Sequence, residues 1–229
     1  MCFSATASFV AGASLSTAGI ITVRKVKKGV LLPFAAIPLL FGIQQTIEGL
    51  NWLSDGNVFL HDAATYAYVM FSHVLWPIYV PVAVRMIEPG RQRKKFLNWF
   101  ILLGVSISIY ILYYVFTGPV TSTLGARGIW YEIPFPNFVV VPLAYVFATC
   151  GSCFFSRHKF VRVFGMALFA SLIIAYWFYQ EAFTSVWCFF AAILSFIVIA
   201  HVHADAVESA KVKMRGIVQE VTENIRAMK

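Results

Sequence analysis

The 229-residue chain is 60% apolar and 17% aromatic, charges only 12% of its residues and has a mean hydropathy of +0.77. A soluble domain carries about twice that share of charge, so an ordinary soluble domain, a disordered chain and a disulfide-stapled secreted module are all excluded. The net charge of +8 therefore belongs to the rim of a membrane protein, provided the apolar residues gather into spans of about 20.

They do gather. Apolar runs lie at 4–23, 30–53, 63–87, 96–117, 136–156, 160–178 and 182–204, and polar breaks such as Arg24-Lys25-Val26-Lys27-Lys28, Ser54-Asp55-Gly56-Asn57 and Glu88-Pro89-Gly90-Arg91 separate them. Each run can cross about 30 Å of hydrocarbon as a helix. A membrane barrel would need period-two alternation, which the runs lack. The fold class expected is therefore all-α, a bundle of seven transmembrane helices over residues 1–204.

The first run begins close to Met1, has its positive charge after the apolar stretch and lacks a basic leader, which reads as an uncleaved helix. Its small residues Ala11, Gly12, Ala13, Ser14, Ser16 and Ala18 suit close helix packing. The charges set the orientation. Four Lys and Arg lie in 24–28, five in 85–95, three in 157–162 and five in 211–229, seventeen of the eighteen in all. With seven crossings these segments share one side. The exception, Arg127, lies opposite with Asp55, Asp62 and Glu132. The positive-inside rule then puts the N-terminus outside and the C-terminus in the cytoplasm.

After the last run, Met214, Val218, Val221, Ile225 and Met228 recur at four-three spacing among charged residues. Residues 205–229 read as a cytoplasmic amphipathic helix lying on the membrane or packing on itself. The partners expected are the bilayer, anionic lipids at the cytoplasmic rim and a further copy of the chain. Nucleic acid is not among them.

Ionisable groups inside hydrocarbon cost several kcal/mol, so each needs a reason. Gln44, Glu48, Asn51 and Trp52 share one face of the second run. His73 lies near the midplane of the third, one turn from Trp76 and Pro77. Glu181 opens the seventh run, with Ser185 one turn deeper, and Cys2 opens the first. The outer loop adds Arg127, Tyr131 and neighbouring Trp130 and Glu132. These groups converge on the outer half of the bundle and read as a ligand pocket.

Glu48 and His73 there suit a divalent metal such as zinc, with Cys2 as a third ligand, or an acid–base pair completed by Glu181. Removal of Met1 would leave Cys2 with a free amine beside its thiol, a metal chelate or an assisted nucleophile. The alternative is that Glu48 is protonated and bonded to a neighbouring helix while His73 and Cys2 are core residues. A second metal candidate is Cys150, Cys153, His201 and His203 at the inner end. Its four ligands suit zinc in number and type, but i and i+2 histidines face opposite ways on an intact helix. No span contains Lys, which excludes a retinal Schiff base, and no phosphate-binding loop, zinc-protease or serine-hydrolase motif is present.

The opening Met1-Cys2-Phe3-Ser4-Ala5-Thr6-Ala7-Ser8-Phe9, the segment Gln44–Trp52, Ser72-His73 with Trp76-Pro77, and Trp187-Cys188-Phe189-Phe190 together resemble a family of uncharacterised polytopic bacterial membrane proteins. That resemblance implies a shared fold and the bacterial inner membrane, and no particular activity. A looser likeness is to the seven-helix zinc hydrolases of the alkaline ceramidase type, whose three zinc histidines have no clear counterpart here. Three functions remain open: a metal- or ligand-binding protein with hydrolase chemistry at the outer pocket, a small-solute transporter, channel or receptor, and a structural or accessory membrane subunit.

Overall fold

The structure, a computed structural model, describes residues 4–27, 29–54, 56–125, 128–136, 139–204 and 214–215. It is built mainly of helices. α1 spans Ala5–Lys25, α2 Gly29–Leu53, α3 Val58–Ile87 and α4 Arg91–Thr117. A two-stranded hairpin, β1 (Thr121–Gly125) and β2 (Gly128–Glu132), follows. The remaining helices are α5 (Val140–Phe154), α6 (Lys159–Phe178) and α7 (Phe183–Ala204). Six of the seven are long and apolar enough to cross a membrane; α5 is apolar but shorter. The expected amphipathic helix over 205–229 lies outside the described residues, apart from Met214 and Arg215.

The helices start earlier than the apolar runs where a cap sets the boundary. The Asn57 side chain accepts a hydrogen bond from Leu60 N at 3.1 Å, so α3 begins at Val58 rather than at residue 63. In the same way α4 begins at Arg91, because charged residues can occupy an interfacial helical turn without being apolar. The long outer segment, expected to be a loop, is instead an antiparallel hairpin with Thr121 opposite Glu132 and Gly125 opposite Gly128.

Packing depends on small residues, since lipid and Leu are equally apolar and only close fit favours one helix neighbour over another. α1 lies along α2. A Cβ at Gly19 would come within 2.5 Å of the Leu39 backbone, and one at Gly12 within 2.5 Å of Thr46 Oγ1. α4 approaches α3 in the same way, where a Cβ at Gly104 would fall on the carbonyl oxygen of Pro77. That carbonyl has no helical donor of its own, because residue 81 is proline.

Two helices widen. α3 is π-helical over Met70–Leu75 and α5 over Phe147–Gly151. In α3 the widened turn precedes Pro77, which cannot donate to the carbonyl four residues back. Neighbouring side chains bond to carbonyls in this turn: Tyr145 Oη to Ser72 O at 2.6 Å and Ser108 Oγ to Val74 O at 2.8 Å.

Opposite the hairpin, Glu88 is buried at 1% exposure. Its Oε2 accepts from Ser156 Oγ at 3.2 Å and Arg157 N at 2.8 Å, joining the end of α3 to the α5–α6 turn. Large apolar side chains such as Trp99, Phe116 and Trp177 are 70–77% exposed around the bundle, as residues in contact with lipid tails would be.

Gly104→Leu should lower the thermal midpoint in detergent by about 3–10 °C, since overpacking here must displace backbone. Gly29→Ala, which meets nothing within 4 Å, should leave it unchanged.

Candidate functional site

The site is assembled from one face of α2. Gln44, Gln45, Glu48 and Asn51 follow helical spacing and all four are fully buried. Each reaches a different element. Gln44 Oε1 accepts from Trp76 Nε1 of α3 at 2.7 Å. Gln45 Nε2 donates to Glu48 Oε2 at 3.1 Å, and Ser185 Oγ of α7 donates to Glu48 Oε1. The Asn51 amide nitrogen lies 3.4 Å from Thr65 Oγ1, 3.3 Å from Ser122 Oγ and 3.2 Å from Tyr131 Oη, so α2 meets α3 and both hairpin strands at one group.

The hairpin closes over this face. Tyr131 stacks on Tyr68 with ring centres 4.2 Å apart. Gly128 (φ +139°) lets β2 come against α7, where a Cβ would stand 2.8 Å from Ala182 Cβ and 3.4 Å from Ser185 Oγ. The hairpin tip, which includes Arg127, lies outside the described residues, as does Cys2.

The site also contains buried polar atoms with no oxygen or nitrogen partner among the described residues: Gln44 Nε2, which faces the Cys188 thiol, Gln45 Oε1 and the indole nitrogen of Trp52. Leaving such an atom unpaired costs about 1–3 kcal/mol. A cavity of about 30 Å³ lies deeper, between α2, α3, α5, α6 and α7, lined mainly by apolar and aromatic residues including Phe41, Trp76, Tyr145 and Trp187.

The structure thus places Gln44, Glu48, Asn51, Trp76, Tyr131 and Ser185 in successive hydrogen-bonded groups along one face of α2: Gln44 with Trp76, Glu48 with Ser185, and Asn51 with Tyr131. Other expected members stand apart. His73 is bonded through Nδ1 to its neighbour Ser72 at 2.7 Å rather than to Glu48. Glu181 is exposed at the start of α7. Cys150 and Cys153 are buried in α5, Cys153 against Gly165 of α6. His201 is packed by the rings of Phe34, His158 and Phe160, while His203 two residues on is less buried. Among the described residues no three His, Cys, Asp or Glu side chains form a group that could hold a metal ion.

Residues not singled out from the sequence complete the outer edge. His61 Nδ1 lies 2.9 Å from Ser54 Oγ, and its Nε2 lies 3.0 Å from Ser122 Oγ. Thr65 Oγ1 is 2.7 Å from the same Ser122 oxygen. The available signal was the alternation of Thr121–Gly125, which places Ser122 and Leu124 on one face of a strand.

The profile of a family described as a family of unknown function (DUF6629) matches residues 1–213. The chain belongs to this family. No curated protein and no solved structure matches it.

Asn51→Ala removes the amide shared by α3 and the hairpin. Amide exchange over 121–125 and 128–132 should quicken by about tenfold or more. Thr123→Ala, on the exposed face of β1, should not change it.

Proposed function

We propose that this is a multi-pass protein of the bacterial inner membrane that binds a small polar ligand in its outward half, between α2, α3 and α7 and beneath the hairpin. Seven crossings, with the N-terminus outside, are supported by the placement of seventeen of the eighteen Lys and Arg in segments that such a topology puts on the cytoplasmic side. Reporter enzymes active only outside the cytoplasm should work when fused after Pro119 and stay silent when fused after Pro89.

One observation carries the ligand reading. Gln45 Oε1 is a buried acceptor without a partner among the described residues, and Gln44 Nε2 is a buried donor that meets only the Cys188 thiol, a weak acceptor, both beside a buried carboxylate. A ligand with a hydroxyl or amide function, donor and acceptor in one group, would satisfy both. A divalent ion is the weaker fit, because Cys2 and a turned His73 would have to join Glu48 to complete its ligand set. A second reading, conduction of a solute, is favoured by the π-helical turn at His73 and the prolines below it, since such turns gather at functional sites.

Native mass spectrometry of the detergent-purified chain should show a discrete small-molecule adduct, lost in Glu48→Gln and Gln45→Leu with the fold retained. No adduct, together with less than about a tenth of an equivalent of bound zinc, would leave only the structural reading. Liposome flux abolished by His73→Ala would favour conduction over static binding.

A further inference from the structure

Ser122, His61 and Ser54 stand in a line at the hairpin end of the bundle, and their contacts admit a reactive arrangement of protons. In that arrangement Ser54 Oγ donates to Asn51 O, its closest acceptor, at 2.6 Å. It must then accept from His61, 2.9 Å away, which puts the imidazole proton on Nδ1. His61 Nε2 is left bare and faces Ser122 Oγ at 3.0 Å. In the other neutral tautomer Nε2 carries the proton and donates to the Ser122 carbonyl oxygen at 3.1 Å, so that oxygen and the Ser122 hydroxyl compete for this nitrogen. Ser122 Oγ has Nε2 at 3.0 Å and the more distant Asn51 Oδ1 at 3.5 Å as acceptors, while the Asn51 amide and the Thr65 hydroxyl, at 3.3 and 2.7 Å, can both donate to it. The arrangement is a hydroxyl, a base bonded to it, and a third group that fixes the tautomer of the base.

We infer that Ser122 is a nucleophile activated by His61, with Ser54 as the positioning residue, and that the site cleaves acyl esters presented at the depth of lipid headgroups. Both Ser122 and His61 are half-buried, and they lie at the hairpin end rather than in the bundle interior. Ser122 Oγ bonds to the acyl carbon while its proton passes to His61 Nε2. The bond from that carbon to the alcohol oxygen breaks, and the alcohol leaves with the proton. Water, deprotonated by His61 in turn, opens the acyl–serine ester, and the proton returns to Ser122. The Asn51 amide is a side-chain donor close to where the oxyanion forms. Nothing in this chemistry uses Glu48 or the two glutamine amide atoms, so it stands independently of the ligand reading above.

The test is an alkyl fluorophosphonate on the full chain in detergent, followed by peptide mass spectrometry. Ser122 Oγ displaces fluoride from phosphorus, His61 taking the proton, so the label marks an activated serine. Label is expected on Ser122 and not on Ser106, which is exposed and bonded only to Leu102 O. His61→Gln should slow labelling by about 10²-fold or more, and Ser54→Ala should slow it less. As a check independent of phosphorus chemistry, Ser122→Cys should be alkylated by iodoacetamide at neutral pH at least about tenfold faster with His61 present than in the Ser122→Cys/His61→Gln pair. An unlabelled Ser122 in folded protein, or labelling unaffected by His61→Gln, would overturn the proposal.

Discussion

Every polar side chain inside a bilayer must find its partner within the protein, because hydrocarbon offers none. The α2 face of Gln44, Gln45, Glu48 and Asn51 places three amides and a carboxylate under that constraint within two helical turns. Their hydrogen bonds determine much of the arrangement around them. Trp76 reaches one amide from α3, Ser185 reaches the carboxylate from α7, and Asn51 gathers Thr65 and both strands of the hairpin. Apolar contact holds the helices together, yet it discriminates poorly between neighbours when lipid is the alternative. The polar face supplies the discrimination, and glycines at 12, 19 and 104 allow the close approach on which it depends.

The two ends of the bundle are built differently. At one end the hairpin covers buried amides and a carboxylate through hydroxyls, a histidine and stacked tyrosines. At the other, Glu88 accepts a backbone N–H and a serine hydroxyl from the α5–α6 turn, amid segments rich in Lys and Arg. The first end offers varied donors and acceptors within reach of solvent, which is the setting ligand recognition and acid–base chemistry need. The second joins two helices and presents a charged rim.

Much of this was legible in the residues. Hydropathy located all seven helices, and helical spacing brought Gln44, Glu48 and Asn51 together. The hairpin was missed because its Thr, Ile, Trp and Tyr alternate over only five residues per strand, a weak signal beside runs of twenty. His61 was missed for a related reason. The apolar run of α3 starts after it, whereas the Asn57 cap starts the helix before it. His73 lies within the π-helical turn, where the hydroxyl of the residue before it satisfies the imidazole, and spacing along the chain gives no sign of that local partner.

The widened turn of α3 has an evolutionary consequence. The groups through which it joins α4 and α5 are the main-chain oxygens of Ser72 and Val74, which no substitution can delete. Drift at positions 72 and 74 leaves those acceptors in place, so the linkage is inherited with the backbone and can be lost only from the donor side, at Tyr145 or Ser108. The lineage can therefore vary the side chains of this turn freely while keeping three helices in register.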